Sequence, residues 1–316
     1  KSKHTLVTGG AGFIGANLCK KLLDLGYKVT AVDNFITSND TNIKSLSKNP
    51  NFKFIKLDIT DPKWKIVTGR WKIESIFHLA CPTGVSNLTK LAEEMILTCS
   101  IGTKNVLDLA VKNKAKLVFT SSSEAYGNPE KFPQNENYTG NVDTLGIRSP
   151  YEEGKRFSES LILMYVRKYG LNASIARVFN TYGPLMSKDD SRVIPRFLNQ
   201  LSKNTSLTVE GKGKQTRTFC YVDDLVDGLI ILEKRGGKGE VYNLGSDKEI
   251  SIKNLAREIL KLTKSKIGIK NIHRPSHDHN GRRPTLAKIK KLGWKQKVNL
   301  KDGLLKTIQF DLVLNS

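Results

Sequence analysis

The glycine-rich segment at residues 8–15 constrains the fold of this chain more than any other feature. It has the sequence Thr-Gly-Gly-Ala-Gly-Phe-Ile-Gly, and Gly10, Gly12 and Gly15 match the G-x-G-x-x-G spacing. A short apolar run precedes the segment and an amphipathic stretch follows it, as in a strand–turn–helix unit. Glycines in such a turn let the backbone approach a pyrophosphate, and the N-terminus of the following helix attracts the anion. The segment therefore predicts a βαβ unit that binds a dinucleotide.

Short apolar runs alternate with longer amphipathic stretches through the first half of the chain. The predicted strands are residues 4–9, 28–33, 52–58, 75–79, 116–121 and 173–178, and the predicted helices are residues 12–25, 91–112 and 150–169. Strands that are short and almost continuously apolar are typical of a parallel sheet covered on both faces. We therefore expect an α/β fold with a doubly wound parallel sheet, the Rossmann arrangement.

The strand–helix alternation weakens after about residue 180. Helices are predicted at residues 193–201 and 252–262, among loops and short strands. We expect residues 1–180 to form the dinucleotide-binding Rossmann domain, with a segment near 217–243 returning to it. Residues 181–316 are expected to form a smaller α/β lobe that binds the substrate.

An acidic residue at the end of the second predicted strand indicates which dinucleotide binds. Asp33 lies 18 residues after Gly15. A carboxylate there accepts hydrogen bonds from a ribose 2′-hydroxyl and repels a 2′-phosphate, which favours NAD over NADP. The residues expected to contact NAD are Gly9, Gly12, Phe13, Ile14, Gly15, Asp33, Asn34, Asp58, Ile59, Leu79, Ala80, Tyr151 and Lys155.

Two further groups of residues have the chemistry of a proton-transfer site. Tyr151 and Lys155 stand four residues apart on a predicted helix and so share one face. An adjacent ammonium lowers the pKa of a phenol, and we expect a phenolate near neutral pH that takes a hydroxyl proton. Ser122, Ser123 and Glu124 follow the fifth predicted strand, where parallel strands end at the ligand crevice. The hydroxyls can bind a substrate oxygen, and Glu124 can act as a base or an acid.

The chain is strongly basic, with 52 Lys+Arg against 30 Asp+Glu and a net charge of +22 over 316 residues. The lysines are scattered along the predicted helices, and aromatic residues do not alternate with them. This pattern disfavours nucleic-acid binding as the main role, because a base-stacking surface needs interleaved aromatic side chains. An anionic small substrate suits the charge.

Cysteine content and hydropathy indicate the compartment. Cys19, Cys81, Cys99 and Cys220 lie far apart in the sequence without a C-x-x-C motif. This spacing argues against a metal site or a disulfide framework and fits a reducing compartment. No apolar stretch approaches the roughly 20 residues of a membrane span, and no signal peptide opens the sequence. We therefore expect a cytoplasmic protein that binds no metal.

Together these motifs resemble the extended short-chain dehydrogenase/reductase superfamily, in its nucleotide-sugar branch. The segments that match in family order are residues 8–15, 33, 78–80, 122–127, 151–155, 177–184 and 211–225. Within that branch the chain resembles the UDP-glucuronate decarboxylases (UDP-xylose synthases). The segments that carry this closer likeness are residues 148–156, 190–193, 215–219 and 282–284.

The resemblance implies a role for each site residue. Tyr151 is the expected base and Lys155 its activator, while Ser122 touches the sugar near C4 and Glu124 lies beside the ring. The residues expected to hold the diphosphate and uridine are Asn180, Arg192, Arg217 and Arg282. The implied reaction oxidises sugar C4 with NAD, removes CO2 from the resulting β-keto acid, adds a proton at C5 and returns the hydride. The family also implies a homodimer that pairs through helices 91–112 and 150–169.

Three positions differ from the usual family pattern and concern the sugar more than the chemistry. Cys99 stands where the family usually has Asn, and Leu185 where the decarboxylases usually have Arg. Residues 83–88 lack the tyrosines and lysine typical of that loop. The second hypothesis for the activity is an NDP-hexose 4,6-dehydratase that acts on UDP-GlcNAc, dTDP/UDP-glucose or GDP-mannose. A 4-epimerase is the third hypothesis. An NAD-binding regulator or a nucleic-acid binder is the non-enzyme alternative, against which Tyr151, Lys155 and Glu124 argue.

Overall fold

A seven-stranded parallel sheet forms the centre of the protein in the computed structural model, which describes residues 2–274 and 281–313. The strands are β1 (His4–Thr8), β2 (Lys28–Asp33), β3 (Phe52–Lys56), β4 (Ser75–His78), β5 (Lys116–Ser122), β6 (Ala173–Val178), β7 (Thr181–Tyr182), β8 (Leu207–Glu210), β9 (Thr216–Thr218), β10 (Cys220–Tyr221), β11 (Glu240–Leu244), β12 (Glu249–Ser251) and β13 (Ile269–Ile272). The order in the large sheet is β11-β6-β5-β4-β1-β2-β3. The predicted Rossmann fold is confirmed.

The strand order reverses at β1, which pairs with β2 on one side and with β4 on the other. In a doubly wound sheet, ligands bind outside the carboxyl ends of the strands at such a switch point. Thr8, the last residue of β1, pairs with Val32 and with His78. The loops that follow these three strands therefore begin next to each other.

Helices cover both faces of the sheet. They are α1 (Phe13–Asp24), α2 (Trp64–Thr68), α3 (Asn87–Lys90), α4 (Ala92–Leu97), α5 (Thr103–Asn113), α6 (Ser149–Tyr169), α7 (Val193–Ser202), α8 (Val222–Arg235), α9 (Ile252–Thr263), α10 (Ala287–Lys291) and α11 (Leu300–Val313). Consecutive residues Leu6 and Val7 of β1 are both fully buried in different apolar clusters. The cluster around Val7 includes α1 and α8, and the cluster around Leu6 includes α5 and α6. This two-sided burial explains the continuously apolar strands.

The prediction of one helix over residues 91–112 is wrong in detail. The structure has α4 and α5 with a π-helical turn at Thr98–Gly102 between them. The Ser100 hydroxyl donates to the carbonyl of Ile96 at 2.7 Å, and the Thr103 hydroxyl donates to the carbonyl of Thr98 at 3.2 Å. Side-chain hydroxyls that bind carbonyls of the preceding turn compete with the regular ladder, and π turns of this kind recur at functional sites.

A third apolar cluster lies in the second half of the chain. Phe197 of α7, Leu207 of β8 and Leu255 of α9 are fully buried in it. By contrast, α8 packs on α1, and β11 pairs in parallel with β6 at the edge of the large sheet. The division of the chain at residue 180 stays a prediction. None of the helices described by the structure is long and apolar enough to cross a membrane.

Trp294 fastens the segment after α10 to α8. Its side chain is 1% exposed, and its indole N–H donates to the carbonyl of Asp224 at 2.8 Å. The carboxylate of Asp224 accepts from the backbone N–H groups of Lys297 and Val298 at 3.0 and 2.9 Å. One residue of α8 therefore satisfies three donors of the C-terminal segment.

We expect Trp294→Ala to lower the free energy of unfolding by about 3–5 kcal/mol, as is usual for emptying a buried aromatic site. Trp294→Phe is the matched control, because it keeps most of the packing and loses the hydrogen bond to Asp224, at a cost of about 1–3 kcal/mol. Urea unfolding followed by circular dichroism measures both values. Equal losses for the two variants would contradict this account of Trp294.

Candidate active site

A cavity of about 1740 Å³ opens at the carboxyl ends of the central strands. Its walls come from the loops after β1, β2, β4 and β5, from the first turn of α6, and from the second half of the chain. The residues predicted to contact NAD that line this cavity are Gly9, Gly12, Phe13, Ile14, Gly15, Asp33, Asn34, Asp58, Ile59, Leu79, Ala80, Tyr151 and Lys155. The predicted catalytic and substrate residues that line it are Ser122, Ser123, Glu124, Asn180, Arg192, Arg217 and Arg282. The structure thus brings all the predicted site residues together, while their roles stay predictions.

The glycine turn leaves room only for backbone. A Cβ on Gly15 would lie 2.0 Å from the carbonyl oxygen of Gly9, which itself has a φ of +71°. A Cβ on Gly9 would lie 2.8 Å from the backbone nitrogen of Ala80. Gly12 directly precedes α1, and Gly12 to Gly15 line the cavity. The N-terminus of α1 therefore lies at the cavity. A tight turn without side chains at a helix N-terminus fits the pyrophosphate of NAD.

Asp33 is fixed beside this turn. Its carboxylate accepts from the backbone N–H of Ala11 at 3.1 Å and of Phe35 at 2.9 Å, and from the hydroxyl of Ser38 at 2.9 Å. Asn34 donates to the carboxylate of Asp58 at 2.6 Å. A carboxylate oriented in this way at the end of β2 fits the ribose hydroxyls of NAD.

Tyr151 and Lys155 project from the first turns of α6 as the sequence predicts. Lys155 is 3% exposed, and its ammonium donates to the carbonyl of Thr120 at 2.9 Å and lies 5.8 Å from the centre of the Tyr151 ring. Desolvation nonetheless raises the pKa of Tyr151 to about 12, although the charge of Lys155 and a hydrogen bond from Ser122 lower it. The expectation of a phenolate near neutral pH is therefore wrong for the chain by itself, because desolvation outweighs the ammonium.

Glu124 is clamped between two arginines. The Arg148 guanidinium donates to its carboxylate at 2.6 Å, and Arg282 donates to both carboxylate oxygens and to the carbonyl of Gly127. Desolvation raises the pKa of Glu124, but Arg282 and Arg148 outweigh it and hold that pKa well below its ordinary value. Glu124 is therefore ionised at neutral pH. Arg282, which the resemblance places on the nucleotide, contacts Glu124 in this structure.

Glu152 is a titratable neighbour of Glu124 that the sequence analysis missed. It is 2% exposed and receives a hydrogen bond from Arg148 at 3.3 Å. Desolvation first, and then the charge of Glu124, raise the pKa of Glu152 to about 7. The four-residue spacing between Arg148 and Glu152 on one helix was the available signal for this contact. The two carboxyl groups thus differ in protonation near neutral pH.

Two of the predicted substrate-binding arginines line the other part of the cavity. Arg192 precedes α7 and binds the carboxylate of Asp190 at 2.5 Å, and Arg217 on β9 donates to the carbonyl of Thr216 at 2.9 Å. Asn180 lies between β6 and β7 and also faces the cavity. Planar guanidinium groups near a helix N-terminus suit a diphosphate.

Cys81 and Cys99 are distant in the sequence but are in contact in the structure. The sulfurs of Cys81 and Cys99 are 3.6 Å apart. Cys81 follows β4 and lines the cavity, and Cys99 lies in the π-helical turn. Their separation of 18 residues gave no signal of this contact, since it arises from the packing of that turn behind the loop after β4.

Comparison with known proteins identifies the family of this chain. The sequence model of the NAD dependent epimerase/dehydratase family matches residues 5–245 of this chain. UDP-glucuronic acid decarboxylase 6 of Arabidopsis thaliana is 41% identical over 301 residues, which are 95% of this chain and 86% of the relative. UDP-glucuronic acid decarboxylase 1 of Danio rerio is 40% identical over 309 residues, which are 98% of this chain and 72% of the relative.

A solved structure has the same architecture. The dTDP-glucose 4,6-dehydratase from Streptomyces venezuelae, with NAD bound, superposes with a TM-score of 0.89 at 26% identity, over 98% of this chain and 97% of that one. The cofactor prediction is confirmed, and NAD is the cofactor that this cavity is built to hold. The chain belongs to the NAD dependent epimerase/dehydratase family of enzymes.

Proposed function

We propose that this protein is a UDP-glucuronate decarboxylase that forms UDP-xylose through a 4-keto intermediate. Relatives of that name match 95% and 98% of the chain at 41% and 40% identity. Within the cavity, one observation carries the proposal. Glu124 is held as a carboxylate between two arginines, and the residue before it is Ser123 rather than an acid.

An ionised Glu124 can take the C5 proton in a dehydration, but Ser123 and Glu124 together fit decarboxylation better, because neither can donate a proton. A β-keto acid loses CO2 without any proton on the leaving group, because the adjacent ketone accepts the electrons. Loss of a C6 hydroxyl as water needs a general acid, and an ionised carboxylate cannot donate. The neighbouring Ser123, which is 4% exposed, is not acidic enough to replace it.

Tyr151, Ser122 and Lys155 are the groups that we assign to the first step. When bound, NAD supplies the oxidant for sugar C4 and later the reductant. Tyr151 takes the proton of the C4 hydroxyl, and Ser122 hydrogen-bonds the same oxygen. Lys155 stabilises the phenolate by its charge. The resulting C4 ketone makes the sugar a β-keto acid, and the enolate left by loss of CO2 takes a proton from water at C5. Hydride then returns to C4, and Tyr151 gives its proton back to the C4 oxygen.

The part of the cavity that holds Arg192 and Arg217 binds the rest of the substrate in this proposal. Asn180, Arg192 and Arg217 hold the diphosphate and the uridine, since guanidinium groups bind phosphate oxygens in pairs. Arg282 remains a proposed substrate contact at the sugar end, next to Glu124. The positive charge of these side chains draws an anionic substrate into the cavity.

One observation favours a 4,6-dehydratase as a second candidate. The pKa of Glu152 is raised to about 7, and its carboxyl group hydrogen-bonds Glu124. A proton held on Glu152 can pass to Glu124 and from there to a leaving hydroxyl. The solved dehydratase with the same fold agrees with this alternative at 26% identity.

We also propose that two copies associate through an apolar surface on α4, the π-helical turn after it and α6. We call it the α4–α6 surface and define it by Ile96, Ile101, Phe157 and Met164, which are 39–52% exposed. Phe157 and Met164 stand seven residues apart and so share one face of α6. Large exposed apolar groups gathered on neighbouring helices mark an interaction site.

We also propose that the protein is located in the cytoplasm. All four cysteines are free in the structure, as expected in a reducing compartment. Expression of the full-length gene product with a fluorescent tag tests the location directly.

Incubation with UDP-glucuronate is expected to give a product lighter by one CO2, read by mass spectrometry. UDP-glucose, UDP-N-acetylglucosamine and GDP-mannose are the comparison substrates and are expected to stay intact. If UDP-glucuronate stays intact while one of these sugars loses water, the decarboxylase proposal fails and the dehydratase is correct.

Tyr151→Phe is expected to lower turnover by roughly 10²–10⁴-fold, the usual contribution of an acid–base group, while NAD binding persists. Tyr169→Phe is the matched control, because it removes the same hydroxyl from a 49% exposed position at the end of the same helix. Steady-state kinetics and NAD titration give both readouts. A Tyr151 variant as active as the control would remove Tyr151 from the mechanism, as a non-enzymatic regulator predicts.

Phe157→Asp is expected to convert the proposed dimer into a monomer, because it places a charge in the centre of the α4–α6 surface. Ile66→Asp is the control, since Ile66 is 81% exposed on α2 and lies outside that surface. Sedimentation velocity measures the mass of each. A dimer that survives Phe157→Asp, or a monomeric natural protein, would contradict the proposed interface.

A further inference from the structure

We propose that Cys81 and Cys99 form an oxidative modification site, a dithiol in the cavity wall that hydrogen peroxide converts into an intramolecular disulfide. The two sulfurs are 3.6 Å apart and in contact, so they must approach by about 1.5 Å to form a bond of about 2 Å. Cys81 lines the cavity, and Cys99, which is 2% exposed, lies in contact with it. In this proposal peroxide enters through the cavity and reaches the Cys99 sulfur past Cys81. The site is a property of this chain whichever sugar the cavity accepts.

Neighbouring elements hold Cys99 in place beside the cavity. The hydroxyl of Ser158 on α6 donates to the carbonyl of Cys99 at 2.6 Å. A Cβ on Gly154 would lie 3.2 Å from the sulfur of Cys99, so the glycine lets α6 approach the thiol closely. Cys99 itself lies in the π-helical turn, where the regular hydrogen-bond ladder is already interrupted. The backbone of this turn is therefore the element that adjusts when the sulfurs join.

The surroundings favour one reactive thiolate. A hydrogen bond with Cys81 is the main cause that lowers the pKa of Cys99, and the charge of Lys155 acts in the same direction. The same contact raises the pKa of Cys81. A thiolate, not a thiol, is the nucleophile in sulfur chemistry, and a cationic neighbour stabilises it. The pair thus combines an attacking sulfur with a second thiol in contact.

The reaction balances with peroxide as the only oxidant. The Cys99 thiolate attacks one peroxide oxygen, the O–O bond breaks, and Cys99 becomes a sulfenic acid while hydroxide leaves and is protonated to water. The Cys81 sulfur then attacks the sulfenic sulfur, forms the S–S bond and releases a second water, with its own proton going to the departing oxygen. Two thiols are oxidised and one peroxide is reduced. Thiol–disulfide exchange with dithiothreitol reverses the change.

The other two cysteines provide an internal comparison. Cys19 and Cys220 are fully buried in the apolar cluster beneath α1 and α8, and burial raises the pKa of each thiol. They lack both the cavity exposure of Cys81 and the lowered pKa of Cys99. Peroxide is therefore expected to leave them reduced.

The test uses the full natural chain, treated with hydrogen peroxide in the folded state, then unfolded in guanidinium chloride, alkylated with iodoacetamide and mapped by peptide mass spectrometry. We expect the number of alkylated thiols to fall from the four present to two, with one cross-linked peptide pair that joins Cys81 to Cys99 and disappears after dithiothreitol. Cys99→Asn is expected to abolish the cross-link, and Cys220→Ser is the control that keeps it.

Because the mapping is done on the natural chain, the result does not depend on how well either variant folds. Four thiols that all remain alkylatable would overturn the proposal. Conversion of Cys99 to a sulfinic or sulfonic acid without a bond to Cys81 would overturn it as well, and so would a cross-link that involves Cys19 or Cys220.

Discussion

The buried ammonium of Lys155 is the charge on which the geometry of the site depends. Burying a charge costs several kcal/mol unless it is paired, and Lys155 meets the carbonyl of Thr120 at 2.9 Å and the faces of Phe119 and Tyr151 at 4.9 and 5.8 Å. These contacts join α6 to the end of β5. The charge of Lys155 also acts on His78. Burial is the main cause that lowers the pKa of His78 to about 3, and Lys155 is the second. One side chain therefore ties the catalytic helix to the sheet and sets the local potential.

The parts of the fold that depend on short-range pattern could be predicted from the sequence. The strands at Lys28–Asp33 and Ala173–Val178 match their predicted bounds, because three of the four buried positions in each strand hold apolar residues. The glycine turn was recognisable because Gly15 has no space for a Cβ. Tyr151 and Lys155 share a helix face because they are four residues apart. Each of these features is decided within one element.

Features that depend on long-range contacts were out of reach of the sequence. Glu124 and Arg282 are 158 residues apart, and nothing in either segment indicates that they pair. The contact between Cys81 and Cys99 depends on a π-helical turn that hydrophobic periodicity does not reveal. The pKa of Tyr151 depends on how much solvent the packed cavity excludes, and a helix-spacing argument counts only the ammonium. In each case tertiary packing, rather than local preference, decides the chemistry.

The raised pKa of Tyr151 affects two steps of the proposed decarboxylation in opposite ways. Each unit of pKa corresponds to about 1.4 kcal/mol, so a phenol with a pKa of about 12 is a costly phenolate and a persistent hydrogen-bond donor near neutral pH. Desolvation therefore opposes proton removal in the first step, and Lys155 offsets part of that cost. The same desolvation helps once CO2 leaves, because the electrons reach the C4 oxygen and a protonated phenol beside it stabilises the developing charge. Glu124, ionised by its two arginines, need not supply a proton at that moment. The arrangement favours a reaction whose charge accumulates at C4 over one that needs an acid at C6.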